Sequence, residues 1–441
     1  YLKFILNSIK YFIILILSKI INLVKKNPIK EKLLLMVVEG NLNFNENYRS
    51  DFFFINRKIK KICIGNIYKL KKADLKEHNI VEDSIFSRVF DKDKNQKIDQ
   101  FFLKFINSKE IKKNYFGFFY FIKNNKISLK KLSSIFNNYN IKLTLSSISN
   151  YTTINIDILR KLFDHKSIAY QYSFIKKSNP IMSYCSNYMF IFSKSFYEIF
   201  SNIYAKPKKF FYTGYLYNFY KKKSLLNKKE YIKKFNLNKK FVITFFDENF
   251  DEPWGPSNRD DMKQKYIKLA NFVLNNEDVV VIIKTQFISN NPSVLFKQDR
   301  IINQAFNTNR FIEFSVDNKN FLNRNIVMPM MASLLSHITI SHKYGGTTSI
   351  ESASVNTRDI MINDLKIKTK FDKFFGKNIL FNDLDIALKK ILNYKNNSSK
   401  IKVRKFGNLK NILYQNLKFS KKNINFDLSM KKLINKELNS L

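Results

Sequence analysis

The stretch from Ser336 to Asn363, SHITISHKYGGTTSIESASVNTRDIMIN, narrows the possible folds more than any other part of the chain. Ile338 to Ser341 is a short apolar run of strand length. Gly345 and Gly346 break it, and a glycine pair admits positive φ and close backbone approach. Thr347, Thr348 and Ser349 follow, the residue types that open a helix. Ile350 to Val355 is expected to begin the helix, with Glu351 in its first turn, where a carboxylate complements the positive end of the helix dipole. Ile360 to Ile362 opens the next strand. Strand, tight turn, helix and strand make a βαβ unit, which belongs in a parallel sheet covered by helices. Free N–H groups and the dipole at such a helix start suit a phosphate. His342 and Lys343, just before the glycines, can both meet one. Turns of this composition also occur without a ligand, so an ordinary structural turn stays open.

The same alternation runs along the rest of the chain. Apolar runs at 33–38, 62–67, 141–145, 167–172, 188–192 and 210–213 predict strands in the first half. Runs at 240–246, 278–283 and 311–314 do so in the second half, with helices over 260–274, 293–306, 328–336 and 383–392. A Lys-rich, glycine-free segment near 220–240 reads as a solvated, partly helical linker. Short strands separated by helices indicate two largely parallel α/β units, and 441 residues are enough for both cores.

A formal charge of +43 resembles a nucleic-acid signature. However, only ten of the 78 basic residues are arginine, and Lys, Asn, Ile, Phe and Tyr are all abundant. Such a bias is what an AT-rich genome writes into any protein, whereas base and phosphate readers lean on arginine. The charge favours anionic partners without nominating nucleic acid. Cys63 and Cys185 stand far apart in apolar settings and fit reduced thiols. Four histidines without ligand spacing argue against a zinc site. Asp91, Asp93 and Asn95 begin a calcium-loop pattern. Gln96 replaces the required Gly and Phe102 the closing Glu, so a charged loop preceding a helix at Phe101–Ile106 is expected.

Residues 4–24 are strongly apolar, but Lys10 and Lys19 interrupt them. A helix in the membrane interface is expected, with a packed structural helix or a true span as alternatives. No small-residue cleavage site follows.

In the second half, VVVIIK (279–284), MASLLSHITIS (331–341) and GGTTSIESA (345–353) follow one another before a further strand. This order resembles the C-terminal nucleotide-binding domain of GT-B glycosyltransferases. More closely, it resembles bacterial surface-carbohydrate and capsule-biosynthesis proteins. YRSDFFF (48–54), AYQYS (169–173), FIFS (190–193) and TGY (213–215) are weaker matches in the first half. The resemblance implies an α/β fold of two Rossmann-like domains facing across a cleft, with an N-terminal apolar helix. The domains would be a helix over 1–30, an acceptor domain over 31–220, a linker over 221–239, a donor domain over 240–395 and a helical tail over 396–441.

It further implies a glycosyltransferase that moves a sugar from a nucleotide-sugar to a surface polysaccharide or lipid-linked glycan. Gly345, Gly346, Thr347, Thr348 and Ser349 would lie against the donor diphosphate, Glu351 would meet the nucleotide sugar, and Lys284 would neutralise the leaving group. His342 would touch the diphosphate or the sugar. In this fold class helix N–H groups and a basic side chain do the work of a metal, and no cofactor is needed beyond the nucleotide-sugar substrate. A general base is required for inversion. Asp247 at a strand end is the leading candidate, with Asp164, Asp157 and Asp51 behind it. Tyr48 to Asp51 would follow the first strand, where open sheets bind ligands.

The expected partners are a nucleotide-sugar, a glycan or lipid-linked acceptor and an anionic membrane surface, with no nucleic acid. The expected location is cytoplasmic, peripheral to the inner face of the plasma membrane. Alternatives are a nucleotide-sugar epimerase or polyol-phosphate transferase on the same fold, or a non-enzymatic basic membrane- or nucleic-acid-binding protein.

Overall fold

Runs of β-branched and aromatic residues form strands in both halves of the chain, and the two halves build separate sheets. The computed structural model describes residues 29–37, 57–64, 72–81, 92–106, 129–147, 155–156, 159–160, 162–174, 186–200, 207–215, 217–247, 250, 257–285, 291–314, 328–343, 346–397, 404–419 and 426–439. The first half contributes β1 (Ile29–Val37), β2 (Lys61–Ile64), β3 (Ile80–Val81), β4 (Tyr139–Ser147), β5 (Lys166–Tyr170), β6 (Tyr188–Ile191) and β7 (Lys209–Tyr212). The second contributes β8 (Phe241–Phe246), β9 (Val279–Lys284), β10 (Phe311–Glu313), β11 (Ile338–His342), β12 (Arg358–Ile362) and β13 (Leu380–Phe381).

The longer helices are α1 (Lys92–Ile106), α2 (129–138), α3 (Lys221–Lys234), α4 (Arg259–Leu274), α5 (Arg300–Asn307), α6 (Pro329–Leu335), α7 (Thr347–Ser354), α8 (Leu384–Asn397) and α9 (Phe426–Asn439).

The sheets have the orders β3-β2-β1-β4-β5-β6-β7 and β10-β9-β8-β11-β12-β13, and all these neighbours pair in parallel. In each sheet the order reverses beside the first strand, between β1 and β4 and between β8 and β11. An open parallel sheet leaves a crevice at the carboxyl end of such a reversal.

β9 shows why the second sheet is layered. Val279, Val281 and Ile283 point to one face and meet Met262, Tyr266 and Leu269 of α4. Val280 and Ile282 point to the other and meet Met331, Ala332 and Leu335 of α6. Alternation with period two therefore carries apolar side chains to both faces. α4 starts where the Asn258 side chain accepts from Asp261 N at 2.8 Å, with Asp260 and Asp261 in its first turn.

Several expectations are corrected. The segment expected as a charged loop before Phe101 is already helical from Lys92. Lys94 reaches Asn137 Oδ1 at 3.1 Å and Asp99 pairs with Lys130 at 2.8 Å, so these polar side chains serve helix packing. The helix expected over 293–306 is two pieces, Pro292–Leu295 and α5, and Asp299 caps the second by accepting from Ile301 N and Ile302 N. β1 begins at Ile29, inside the segment assigned to an N-terminal helix. The linker is helical over α3, as expected, but not solvated all round: Tyr231 and Ile232 on it, with Phe235 just after it, pack against the cluster of Val242 and Leu335. Residues 4–24, Tyr48 to Asp51, Asp157, Cys185 and Gly345 lie outside the described residues. Cys63 is fully buried, and burial pushes its thiol up to about 12.

The end of the chain completes the first sheet, not the second. Met430 and Ile434 of α9 are fully buried in the cluster that holds Leu34, Leu143 and Ile168. Glu437 accepts from Tyr188 Oη at 2.6 Å and pairs with Lys166. No helix among the described residues is long and apolar enough to cross a membrane. Ile434→Ala should destabilise the fold by about 2–4 kcal/mol in urea unfolding, because it opens a cavity under the sheet. Ile386→Ala, at a side chain 54% exposed, should stay within about 0.5 kcal/mol.

Candidate active site

The carboxyl ends of β8, β9, β11 and β12 are aligned by register, with Phe246 opposite Lys284, Phe245 opposite Ile340 and His342 opposite Ile362. Asp247, Lys284, His342 and Asp364 therefore share one edge of the second sheet, three of them at or next to the β8/β11 reversal.

Asp247 follows β8 directly and is buried; Tyr266 Oη donates to its Oδ2 at 3.2 Å. Burial first, and then the Asp247 carboxylate, hold the Tyr266 phenol well above its ordinary range. The residue therefore stays a donor that orients the carboxylate. Lys284 Nζ turns back to Thr285 O at 2.6 Å, and Thr285 Oγ1 donates to Asn291 at 2.8 Å. His342 is buried edge-on to Phe245, with ring centroids 5.5 Å apart. Burial and the nearby Lys265 charge lower its pKa to about 3, so it is neutral at pH 7. Lys265 of α4 pairs with Asp364 at 2.5 Å. Burial would raise the Asp364 pKa, but the Lys265 hydrogen bond and charge outweigh it and lower it. Lys343 pairs with Asp372 at 2.7 Å and donates to Ile367 O.

The turn after β11 ends at Gly346, whose φ of +56° and ψ of 5° lie in the left-handed region that favours glycine. α7 starts at the next residue. Its seat is a seam of hydroxyls around one buried carboxylate. Asp359 of β12 accepts from Thr339 Oγ1 at 2.6 Å and from Ser341 Oγ at 3.0 Å. Ser341 Oγ meets Ser349 Oγ at 2.7 Å, and Thr339 Oγ1 meets Ser352 Oγ at 2.9 Å. Ser352 Oγ also meets Ser333 Oγ at 2.8 Å.

The Ser349 side chain, expected at a diphosphate, is fully buried in this seam and anchors the helix instead. Thr348 stays partly exposed on the first turn of α7. Thr347 Oγ1 accepts from Phe174 N at 3.0 Å, across to the segment after β5. Glu351, expected in the first helical turn, is the fifth residue of α7 and lies beyond that turn; it is fully buried and accepts from Tyr215 Oη, in the segment after β7.

These contacts bring the carboxyl edges of the two sheets together. Phe371 stacks at 6.2 Å on Phe174 and lies 5.2 Å from Phe196. Lys370 pairs with Glu198 at 3.0 Å. Asp164, one of the weaker base candidates, precedes β5 and so sits at the opposite, amino edge of its sheet. His165 beside it is packed on Phe136 at 4.7 Å, and burial lowers its pKa to about 4. Among the described residues no group of three or more His, Cys, Asp or Glu side chains is gathered to hold a metal ion.

Sequence reasoning missed Asp359 and the Lys265–Asp364 pair, and gave no role to Tyr215 of the TGY match. An acidic residue at the head of an apolar strand, RDIMI, is the one local signal that marks Asp359.

The sequence matches no protein-family model and no curated protein. Solved structures share its shape. UDP-GlcNAc 2-epimerase from Neisseria meningitidis, bound to UDP-GlcNAc, aligns over 93% of this chain and 100% of its own, at 11% identity and a TM-score of 0.52. The wall teichoic acid polymerase TagF aligns over 100% and 98%, at 13% identity and a TM-score of 0.50. The N-terminal domain of Candida albicans trehalose-6-phosphate phosphatase aligns over 94% and 98%, at 14% identity and a TM-score of 0.50. The fold is GT-B-like. At these identities it is the two-domain, two-sheet architecture that is shared.

The buried histidines give the fold an acid-side sensitivity. His342 and His165 stay neutral when folded, with pKa values lowered to about 3 and about 4, whereas an unfolded histidine titrates near ~6.5. The unfolded chain therefore takes up protons first. The stability due to each is complete above pH ~6.5 and is lost as pH falls towards the folded values. Between pH 7 and pH 5 the loss is about 2 kcal/mol per histidine. Urea unfolding at the two pH values should show a smaller loss for His342→Gln than for the wild type.

Proposed function

We propose that the protein is a glycosyltransferase that takes a sugar from a nucleotide-sugar and passes it to a surface polysaccharide or a lipid-linked glycan. The observation that carries this is the left-handed Gly346 turn, which opens α7 where the carboxyl edges of the two sheets meet. There the first N–H groups of α7 and its dipole offer a place for a diphosphate. A GT-B-like fold supports it, as does the nucleotide-sugar held by the similarly shaped Neisseria epimerase.

In this proposal the backbone of Gly345 and Gly346, with Thr347 and Thr348, cradles the diphosphate. Lys284, released from the Thr285 carbonyl, neutralises charge as the nucleoside diphosphate leaves. Glu351 takes the nucleotide's ribose hydroxyls once it exchanges Tyr215 for them. Asp247, oriented by Tyr266, accepts the proton of the attacking acceptor hydroxyl. His342 is neutral and offers a hydrogen bond to the sugar or the diphosphate. The acceptor enters from the first sheet's carboxyl edge, at the inner face of a membrane.

One observation favours a second reading. Asp247 and the neutral His342 lie at one sheet edge, a pairing that an epimerase could use for proton removal and return. Product analysis separates the two, because a transferase lengthens its acceptor and an epimerase returns a nucleotide-sugar isomer.

Thermal shift with UDP, GDP, CDP and their sugars should show one nucleotide stabilising the wild type. The shift should be lost in Glu351→Ala and weakened in Glu351→Gln, which keeps a hydrogen-bonding partner for Tyr215. Asp247→Asn should keep the shift and lose about 10²-fold or more in kcat. No shift with any nucleotide at millimolar concentration would sink the proposed donor site.

A further inference from the structure

α3, the helix that joins the two halves, has two unlike faces. Ser224 is buried, and Tyr231 and Ile232, with Phe235 at its end, pack into the second domain. The opposite face presents Lys222, Leu225, Leu226, Lys229 and Lys233, all exposed. Their spacing of three, one, three and four residues keeps them on one side of a helix. Leu225 is 48% and Leu226 74% exposed, and they are the only adjacent pair among the exposed large hydrophobics of the described residues.

Single exposed leucines are ordinary, but a pair set among three exposed lysines, with Glu230 the one exposed acid at the margin of that face, is the pattern of a helix lying in a lipid interface. Lysine is common throughout this chain, so the lysines alone would mean little. Their placement adds something. Lys221, Lys222 and Lys223 open the helix, and no acidic residue stands in its first turn. Cations there oppose the helix dipole, so they do not serve the helix itself.

We propose that this face of α3 docks on an anionic lipid bilayer, with Leu225 and Leu226 entering the headgroup region and Lys222, Lys229 and Lys233 meeting lipid phosphates. Charge complementarity selects this occupant. A second copy would set the same lysines against one another, and a nucleic acid would leave the leucines in water. The proposal deepens the functional one, since it supplies a surface for a lipid-linked acceptor. It also has a connection to the site. Lys221 Nζ donates to Ser354 O at 2.5 Å, at the last residue of α7. Lys410, close enough to lower the Lys221 pKa after burial has done so, donates to Asn356 Oδ1 at 2.5 Å on the same side. The docking helix is thus tied to the far end of the helix that opens at the proposed donor turn. α7 is eight residues long, about 12 Å, so acceptor and donor would meet close to the lipid surface.

Co-sedimentation of the full chain with vesicles tests this. Vesicles of phosphatidylcholine alone and of phosphatidylcholine with ~30% phosphatidylglycerol are compared, since only the second carries the negative charge the lysines need. The wild type should bind the anionic vesicles and not the neutral ones. L225Q/L226Q should lower the partition coefficient at least tenfold, and K222Q/K229Q/K233Q should do likewise. Melting temperature and nucleotide-induced stabilisation, measured on both variants, should match the wild type and so exclude misfolding.

Equal binding of L225Q/L226Q and wild type to anionic vesicles would overturn the proposal, since the apolar segment at 4–24 would then carry the binding. So would failure of the wild type to bind them. If L225Q/L226Q converts a dimer to a monomer in sedimentation and leaves vesicle binding unchanged, the face belongs to a second copy. A wild type that no nucleotide stabilises, but whose vesicle binding still depends on the leucines, would retire the transferase and leave the docking surface standing.

Discussion

A parallel strand hydrogen-bonds through slanted, evenly spaced bonds and cannot turn back on its neighbour, so a crossover between two of them must run over a face of the sheet. Both faces of the second sheet are covered in consequence, by α4 on one side and α6 on the other. The interior is then apolar and closed, and polar chemistry is driven to the strand ends. The reversal of strand order between β8 and β11 leaves neighbouring connections to diverge on opposite faces. The gap at their carboxyl ends is where Asp247 and His342 are found, and everything proposed about catalysis depends on it.

Charges at that edge are largely satisfied by the chain itself. Lys265 holds Asp364, Lys343 holds Asp372, and Lys284 turns to a carbonyl. Buried pairs of this kind contribute little net stability, because desolvation offsets attraction. Their effect is to order the segment after β12 against the sheet edge. In the proposed function, an incoming diphosphate would meet a neutral histidine and backbone N–H groups first, and would have to draw Lys284 from an existing partner. The Asp359 seam acts differently. It is a fully buried carboxylate surrounded by hydroxyl donors, and it sets the angle at which α7 leaves its turn. Removing one member would strand the others in a low-dielectric setting, where an unmade hydrogen bond is costly.

The halves are joined twice by the chain and again by side chains. α3 carries the chain across, and α9 brings its end back to the first sheet through Met430, Ile434 and Glu437. Between these crossings, Tyr215 meets Glu351 and the Phe174 amide meets Thr347. A side chain proposed for the donor is thereby held by the first half. The outward leucines of α3 sit on the first of these crossings, so a surface that held them would also bear on the joint.

Local pattern was enough to place eleven of the thirteen described strands, all but the two-residue β3 and β13, and with them the βαβ unit and the strand-end residues Asp247, Lys284 and His342, because side-chain periodicity and strand termini are properties of neighbouring residues. It was also enough to suggest a glycine turn ahead of α7, since few other residues adopt a left-handed φ without strain. It misjudged Lys92 to Asp99, where the polar residues of a helix face look like those of a loop. Ser349 was legible as a helix opener, but its burial against Ser341 depends on how α7 lies on the sheet. Tyr215 and Glu351 are 136 positions apart, and Lys265 and Asp364 are comparably remote. No short-range signal links either pair. The amino-acid sequence by itself thus determined most of the strands, the βαβ unit and which residues end the central strands of the second sheet. Only the tertiary structure decided which of those residues meet, because parallel crossovers and the returning C-terminal helix bring together parts of the chain that local propensity treats as independent.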